Sequence, residues 1–276
     1  MKIGFGSYAL RWAVGTPDWQ PSRPLDARAL VDRAAALGAE VLQILENVPL
    51  DGLSRAELAS LARRAAGAGI ALEVGFRGCR AERVRRHLPV AEALDARLLR
   101  VVLEDGPWAP AVGEAVAILR DLLPDLRAAG VTLAIENHSS LRPAEIARII
   151  ATVGDPAVAA CLDVLNSVER LVGPLETTAA LAPYTVSAHF KDVRVVRHGA
   201  AFRLAGCPLG EGEVDCPAIL AAVRDNGRSP ALLVESWMDR LGDEAATLAE
   251  EERWVRHGMA YLRQLAAMPG QGGDHA

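Results

Sequence analysis

Aromatic residues, paired cysteines and long apolar runs are all scarce in this chain. Phe, Trp and Tyr make up only 4% of 276 residues, although 51% are hydrophobic, so aliphatic side chains must fill the interior. The 4 cysteines form no C-x-x-C pair, which gives no sign of a zinc knuckle or a disulfide framework. No apolar run reaches the roughly 20 residues that cross a bilayer. We therefore expect a cytoplasmic protein with reduced thiols and no membrane partner.

Basic charge is also in deficit. The chain has 30 Lys and Arg residues against 35 Asp and Glu residues, with a net charge of -5. A broad basic surface for nucleic acid is therefore not expected. A glycine fingerprint of the type G-x-G-x-x-G between an early strand and a helix is absent as well, which argues against an open dinucleotide-binding sheet.

What the chain does contain is a repeated alternation of apolar strands and helices. Helix starts are marked by Asp26, by the pair Ser54 and Glu57, by Pro143 and by Asp215. Alternating strands and helices predict parallel pairing through right-handed crossovers. The predicted strands are 3–6, 41–45, 70–74, 98–103, 130–136, 158–162, 185–190 and 231–235.

Eight such units predict one α/β domain, a single (β/α)8 TIM barrel over residues 1–268. We expect residues 269–276, which are rich in glycine, to form a disordered tail. Residues 191–214 are interpreted as a long loop rich in turns, which could act as a lid over the barrel.

Four consecutive strands end in residues that can bind a metal ion. Glu136, Asp163, His189 and Glu235 end the fifth to eighth strands. In a barrel the carboxyl ends of the strands form the active face, so these side chains should meet. Carboxylates packed together are costly without a cation. Three carboxylates and one imidazole suit Mn²⁺, which we expect, or Mg²⁺, Co²⁺ or Zn²⁺.

These strand ends resemble the xylose isomerase-like TIM-barrel superfamily, which includes sugar isomerases, ketose 3-epimerases, inosose dehydratases and class II AP endonucleases. The resemblance covers nearly the whole chain. It implies that the four residues above bind one divalent metal ion and that Glu136 and Glu235 also form the acid/base pair. The motifs that carry it are Ile135-Glu136-Asn137-His138, Cys161-Leu162-Asp163-Val164-Leu165-Asn166, His189-Phe190-Lys191-Asp192, Gly210-Glu211-Gly212 and Val234-Glu235-Ser236-Trp237.

The leading hypothesis is a metal-dependent isomerase or epimerase of a small ketose or keto-sugar. The metal would polarise a carbonyl and stabilise an enediolate, while two carboxylates remove and return a proton. A lyase using the same site is the alternative, either an inosose-type dehydratase or a keto-sugar-acid decarboxylase. A non-catalytic sugar-binding barrel is the third hypothesis. An AP endonuclease is not favoured, because this chain does not have the additional metal-binding histidines that the resemblance would require for that activity. The expected partner is a small carbohydrate substrate. The sequence also leaves open whether the protein forms a homo-oligomer.

Two departures from the epimerase pattern bear on the reaction. The epimerases have His where this chain has Asn166, and they have Arg at the position of Val195, next to Arg194. The sequence around Lys191 is more similar to the inosose dehydratase branch, which makes Lys191 a candidate catalytic residue. The candidate substrate-binding residues are those on strand-exit loops or at departures from the family: Trp12, Glu46, Arg77, Trp108, Asn166 and Arg194.

Overall fold

The computed structural model describes residues 1–269 and contains a closed barrel of eight parallel strands. Each barrel strand pairs with its neighbours in the order β1-β10-β7-β6-β5-β4-β3-β2. The predicted TIM barrel is therefore confirmed. The barrel strands are β1 (Ile3–Gly6), β2 (Val41–Ile44), β3 (Ala71–Arg77), β4 (Leu98–Val102), β5 (Thr132–Glu136), β6 (Val158–Asp163), β7 (Thr185–Phe190) and β10 (Ala231–Val234).

Helices pack around this barrel as an outer ring. The helices of the described part of the chain are α1 (Arg11–Val14), α2 (Ala27–Ala36), α3 (Arg55–Gly67), α4 (Ala81–Ala93), α5 (Val112–Ala129), α6 (Pro143–Val153), α7 (Pro174–Leu181), α8 (Cys216–Asp225) and α9 (Glu244–Ala267). Their starts follow the sequence signals. Asp26 accepts a hydrogen bond from the Ala29 N–H, and Ser54 forms a capping box with Glu57.

The core lies between the strands and the helices and is almost wholly aliphatic. Leu42, Leu99, Leu133 and Leu232 are fully buried, as are the helix residues that face them. Burial of each such side chain stabilises the fold by about 2 kcal/mol. None of the described helices is both long and apolar enough to cross a membrane.

The segment after β7 differs from the sequence interpretation. Residues expected to form a turn-rich loop instead form an antiparallel hairpin, β8 (Asp192–His198) and β9 (Ala201–Cys207), before the loop that leads to α8. Asp192 organises its base, because its carboxylate accepts hydrogen bonds from the N–H groups of Gly210, Gly212 and Val214. Gly212 has no room for a side chain, since a Cβ would lie 2.2 Å from the Asp192 carboxylate. The segment predicted as a disordered tail, 269–276, falls almost entirely outside the described residues.

Candidate active site

Three of the four polar strand ends converge on the imidazole of the fourth, His189. Its Nδ1 atom lies 3.3 Å from Glu136 Oε2, 3.6 Å from Asp163 Oδ2 and 3.3 Å from Glu235 Oε1. All four residues are buried. They come together because β5, β6, β7 and β10 are parallel and end at the same rim, although the residues are up to 99 positions apart in the chain.

The tautomer of His189 follows from its other ring nitrogen. Nε2 lies 2.8 Å from Gln43 Oε1, an oxygen that can only accept, so Nε2 carries the hydrogen. Gln43 is oriented in turn because its amide nitrogen donates to Glu73. Burial alone would lower the pKa of His189, but Cys161, Glu235 and Glu136 outweigh it and the pKa is raised. Nδ1 faces the three carboxylates, and with a metal ion bound the neutral ring would present the lone pair of this atom to the metal.

Three buried atoms at the centre of the cluster have no hydrogen-bond partner: Asp163 Oδ2, His189 Nδ1 and Glu235 Oε1. The ligand atoms of these residues lie within 4.8 Å of one another, as do those of a second group formed by Glu136, Cys161 and His189. Asp163 Oδ2 also lies 2.7 Å from Lys191 Nζ. This contact is an ion pair, but its angles do not meet the geometry of a hydrogen bond. Unsatisfied acceptors in one buried pocket need a cation, so the donor set fits a divalent metal ion.

Two cationic side chains already sit among the carboxylates. Lys191 Nζ lies 2.7 Å from Asp163 and 3.0 Å from Glu235, and it donates to Asn166 Oδ1 at 3.1 Å. Arg100 on β4 forms ion pairs with Glu136 and, at 3.0 Å, with Glu46.

The charges at this site can be counted. The cations Arg100 and Lys191 face four carboxylates, those of Glu46, Glu136, Asp163 and Glu235. The net charge of this group is therefore -2 when His189 is neutral. One divalent ion would balance it.

Opposite charges that lie close together shift the pKa values of Asp163, Glu235 and Lys191. Burial alone would raise the pKa of Asp163 and of Glu235, but Lys191 and His189 outweigh it and the pKa of each carboxyl is lowered. Burial alone would lower the pKa of Lys191, but Asp163 and Glu235 outweigh it and the pKa is raised. Lys191 is therefore an ammonium ion held between carboxylates, and Asp163 and Glu235 are ionised at neutral pH.

Asparagine side chains fix the carboxylates from behind. Asn166 donates to Glu136 Oε1 at 2.8 Å and accepts from Lys191. Asn137 donates to the Asp163 carbonyl and accepts from its N–H, both at 2.8 Å. Asp163 Oδ1 accepts from the N–H groups of Leu165 and Asn166. These bonds leave the second oxygen of Asp163 turned toward His189.

A cavity of about 250 Å³ opens above this cluster at the barrel mouth. Besides Glu136 and Glu235, four predicted substrate-binding or catalytic residues line it: Glu46, Arg77, Asn166 and Lys191. Its volume is slightly below the usual range for small-molecule sites, which favours a small substrate. A larger cavity of about 490 Å³ lies against α2 and α3 and lacks these convergent buried carboxylates.

Three predicted substrate contacts do not lie on this cavity. Trp12 donates from Nε1 to the Met238 carbonyl, and Trp108 packs under the guanidinium of Arg80. Arg194 sits on the exposed hairpin and bonds to Glu211. All three residues follow barrel strands, as predicted, but their side chains do not line the cavity.

Sequence reasoning also missed residues that the structure places at the site. Arg100 lies inside an apolar strand, and charged residues are almost never buried unless they are paired. Its position in the sequence therefore indicated a buried ion pair at this site. Gly75 makes space for it, since a Cβ there would lie 3.1 Å from Arg100 Cδ and 2.3 Å from Leu45. The other cavity residues that were not among the predicted site residues are Tyr8, Arg11, His138, Ser236 and Trp237.

One wall of the cavity is held by a buried glutamate on α9. Glu251 accepts hydrogen bonds from the backbone N–H groups of Trp12, at 2.7 Å, and Ala13, at 2.9 Å. Burial raises the pKa of Glu251 to about 7, against the lowering effect of these two bonds and of Arg11. This carboxylate fixes the turn that carries Arg11 to the cavity.

The raised pKa of Glu251 predicts a pH-dependent contribution to stability. Between pH 4.5 and 7 the folded protein keeps a proton that the unfolded chain releases, so this contribution is present below pH 4.5 and is lost as the pH rises through 7. The difference in unfolding free energy between wild type and Glu251→Gln should therefore change by about 3 kcal/mol across this range, in favour of the variant at high pH. Denaturant titrations with a chelator present would measure it, and Glu82→Gln on exposed α4 is the charge control. A difference that stays constant with pH would contradict it.

The barrel and its strand-end carboxylates define the xylose isomerase-like TIM barrel class. A sequence profile of that family matches residues 31–265, and the chain belongs to it. A curated relative, 3-oxo-isoapionate decarboxylase of Pectobacterium atrosepticum, is 32% identical over 264 residues and covers 95% of each chain.

Solved structures share the fold at lower identity. D-psicose 3-epimerase, solved with D-fructose, is 17% identical with a TM-score of 0.72 and covers 97% of this chain and 100% of its own. The IOLI protein, solved with a zinc atom, is 15% identical with a TM-score of 0.72 and the same coverage. The predicted family is thus confirmed, and its named relatives include both a lyase and an epimerase.

Proposed function

We propose that this protein is a metal-dependent decarboxylase of a small 3-oxo sugar acid. The observation that carries the proposal is the ion pairing of both candidate bases, Glu136 with Arg100 and Glu235 with Lys191. Epimerisation needs one group to remove a proton and another to return it. Loss of CO2 needs no proton removal from carbon, so glutamates that are held by cationic partners suit it better. The relative at 32% identity, named a decarboxylase of a 3-oxo acid, supports the same reaction.

The proposed metal site consists of Glu136, Asp163, His189 and Glu235. A divalent cation there would act as a Lewis acid for negative charge that develops on a substrate carbonyl oxygen. The unpartnered atoms of Asp163, His189 and Glu235 support this set. Glu136 differs from the other ligands because both of its oxygens already accept hydrogen bonds, Oε2 from Arg100 and Oε1 from Asn166.

The reaction moves charge from the substrate carboxylate to the oxygen on C3. The C1–C2 bond breaks, its electron pair moves toward the C3 oxygen, and C2 then takes up one proton. The donor must carry a proton at neutral pH, which excludes the ionised Asp163 and Glu235. We assign this role to Lys191 Nζ, because it is charged and contacts two of the proposed ligands.

The products of the reaction test this proposal. With Mn²⁺, Mg²⁺ or Zn²⁺ added, the protein should release CO2 from 3-oxo sugar acids of four to six carbons and, in D2O, place one deuterium on the former C2. Lys191→Met should slow the release of CO2 by at least about 100-fold. Lys2→Met, which changes the only other lysine, at the opposite end of the barrel, should not.

An epimerase is the second candidate, because Glu136 and Glu235 both line the cavity. It would exchange the C–H of a ketose with solvent deuterium and release no CO2. That result, in place of CO2 release from the acids, would overturn the decarboxylase and restore the isomerase hypothesis.

A further inference from the structure

Four permanently cationic side chains line the cavity, and three of them are neutralised by carboxylates. Arg77 pairs with Glu104 at 3.2 Å. Arg100 pairs with Glu46 and Glu136, and Lys191 with Asp163 and Glu235. Arg11 is the fourth, and within the described residues no carboxylate lies within 4.0 Å of its guanidinium.

The position of Arg11 is determined by contacts on both sides of its turn. Its guanidinium carbon lies 4.7 Å from the ring centroid of Trp12, over the indole face. Trp12 is held by its hydrogen bond of 2.9 Å to the Met238 carbonyl, and the backbone N–H groups of Trp12 and Ala13 are held by Glu251. The arginine is therefore preorganised before any ligand arrives, which reduces the entropy lost on binding.

Arg11 also has an unused hydrogen-bond donor. Its Nε is buried and has no hydrogen-bond partner among the described residues. Buried polar groups in folded proteins almost always have a partner, so an orphaned guanidinium nitrogen beside a ligand cavity indicates that the ligand supplies the acceptor. The planar guanidinium suits a carboxylate, which can accept two parallel hydrogen bonds from it.

We propose that Arg11 binds the carboxylate of the substrate and thereby selects sugar acids over neutral sugars. This inference rests on the proposed decarboxylase function and names the residue that determines its substrate class. Trp12 covers the guanidinium from one side, so the ion pair forms next to an aromatic surface rather than in bulk water.

The proposed role predicts a specific kinetic pattern. The carboxylate leaves as neutral CO2, so its ion pair with Arg11 is strongest in the substrate complex and weakens toward the transition state. Loss of Arg11 should therefore raise KM by about 10- to 100-fold and leave kcat unchanged or raised. Arg11→Lys should recover part of the lost affinity, because it keeps the charge and loses the fork geometry.

Thermal-shift titration tests the subsite without turnover. Gluconate has the sugar-acid carboxylate but no oxo group, and glucitol is its neutral counterpart. With metal present, gluconate should raise the Tm of wild type more than glucitol does, and Arg11→Gln should abolish that difference. Arg63→Gln, on the exposed face of α3, changes the net charge equally and should keep the difference.

Each outcome of this experiment decides a separate point. No gluconate shift in wild type, or an equal shift in wild type and Arg11→Gln, would overturn the role of Arg11. Loss of the shift in Arg77→Gln instead would assign the carboxylate to Arg77. A gluconate shift that depends on Arg11, in a protein that releases no CO2 from any 3-oxo acid, would uphold the subsite and overturn the proposed function.

Discussion

Replacement of Glu235 by glutamine is expected to lower kcat by about a thousandfold. The variant keeps the size of the side chain but removes the negative charge that faces His189 Nδ1 at 3.3 Å and Lys191 Nζ at 3.0 Å. The site then loses one of its proposed metal ligands, and Lys191 loses one of its two carboxylate partners. Metal content per chain, measured on purified protein, should fall together with turnover.

The control separates chemistry from folding. Glu82→Gln makes the same change on the exposed surface of α4 and should leave turnover and metal content unchanged. A Glu235→Gln protein that binds wild-type amounts of metal would remove Glu235 from the ligand set. One that also turns over at the wild-type rate would exclude any role for it in the reaction.

Replacement of Arg100 by methionine is expected to lower the unfolding free energy by about 3–5 kcal/mol. Arg100 is 3% exposed, and its loss leaves the carboxylates of Glu46 and Glu136 without their cation in a buried site. Added Mn²⁺ or Mg²⁺ should recover part of the loss, because a bound cation supplies positive charge beside Glu136. Denaturant unfolding with and without metal would measure both effects.

A double-mutant cycle tests the cause of that loss. Arg100→Met combined with Glu136→Gln should be less destabilised than the sum of the two single variants, by about 0.5–3 kcal/mol. Arg97→Met, three residues earlier, removes an exposed ion pair with Asp95 and should cost under about 1 kcal/mol. Additive single effects would mean that the ion pair between Arg100 and Glu136 is not the cause of the loss.

The barrel and its ring of strand-end residues could be predicted because both follow from local patterns. Apolar runs separated by helix signals at regular intervals leave few topologies other than a closed parallel barrel. Parallel strands end at one rim, so Glu136, Asp163, His189 and Glu235 had to be neighbours once the barrel was accepted.

The hairpin after β7 could not be recognised in the same way. Its strands bury little beyond their base, and Val195, Phe202 and Leu204 are exposed, so they lack the alternation of buried and polar residues that marks a strand. Its pairing depends on a turn at Gly199 and on the support that Asp192 gives to the returning loop.

By itself the sequence determined the family, the barrel and the four residues that meet at its mouth, because these depend on the order and spacing of residues along the chain. Only the tertiary structure decided the partner of each charge. Arg100 reaches Glu136 across 36 positions, His189 reaches Gln43 across 146, and Arg11 reaches no carboxylate within 4.0 Å among the described residues. Such pairings depend on the length and direction of side chains from separate strands. They distinguish paired glutamates from free bases, and they leave one arginine available for a substrate.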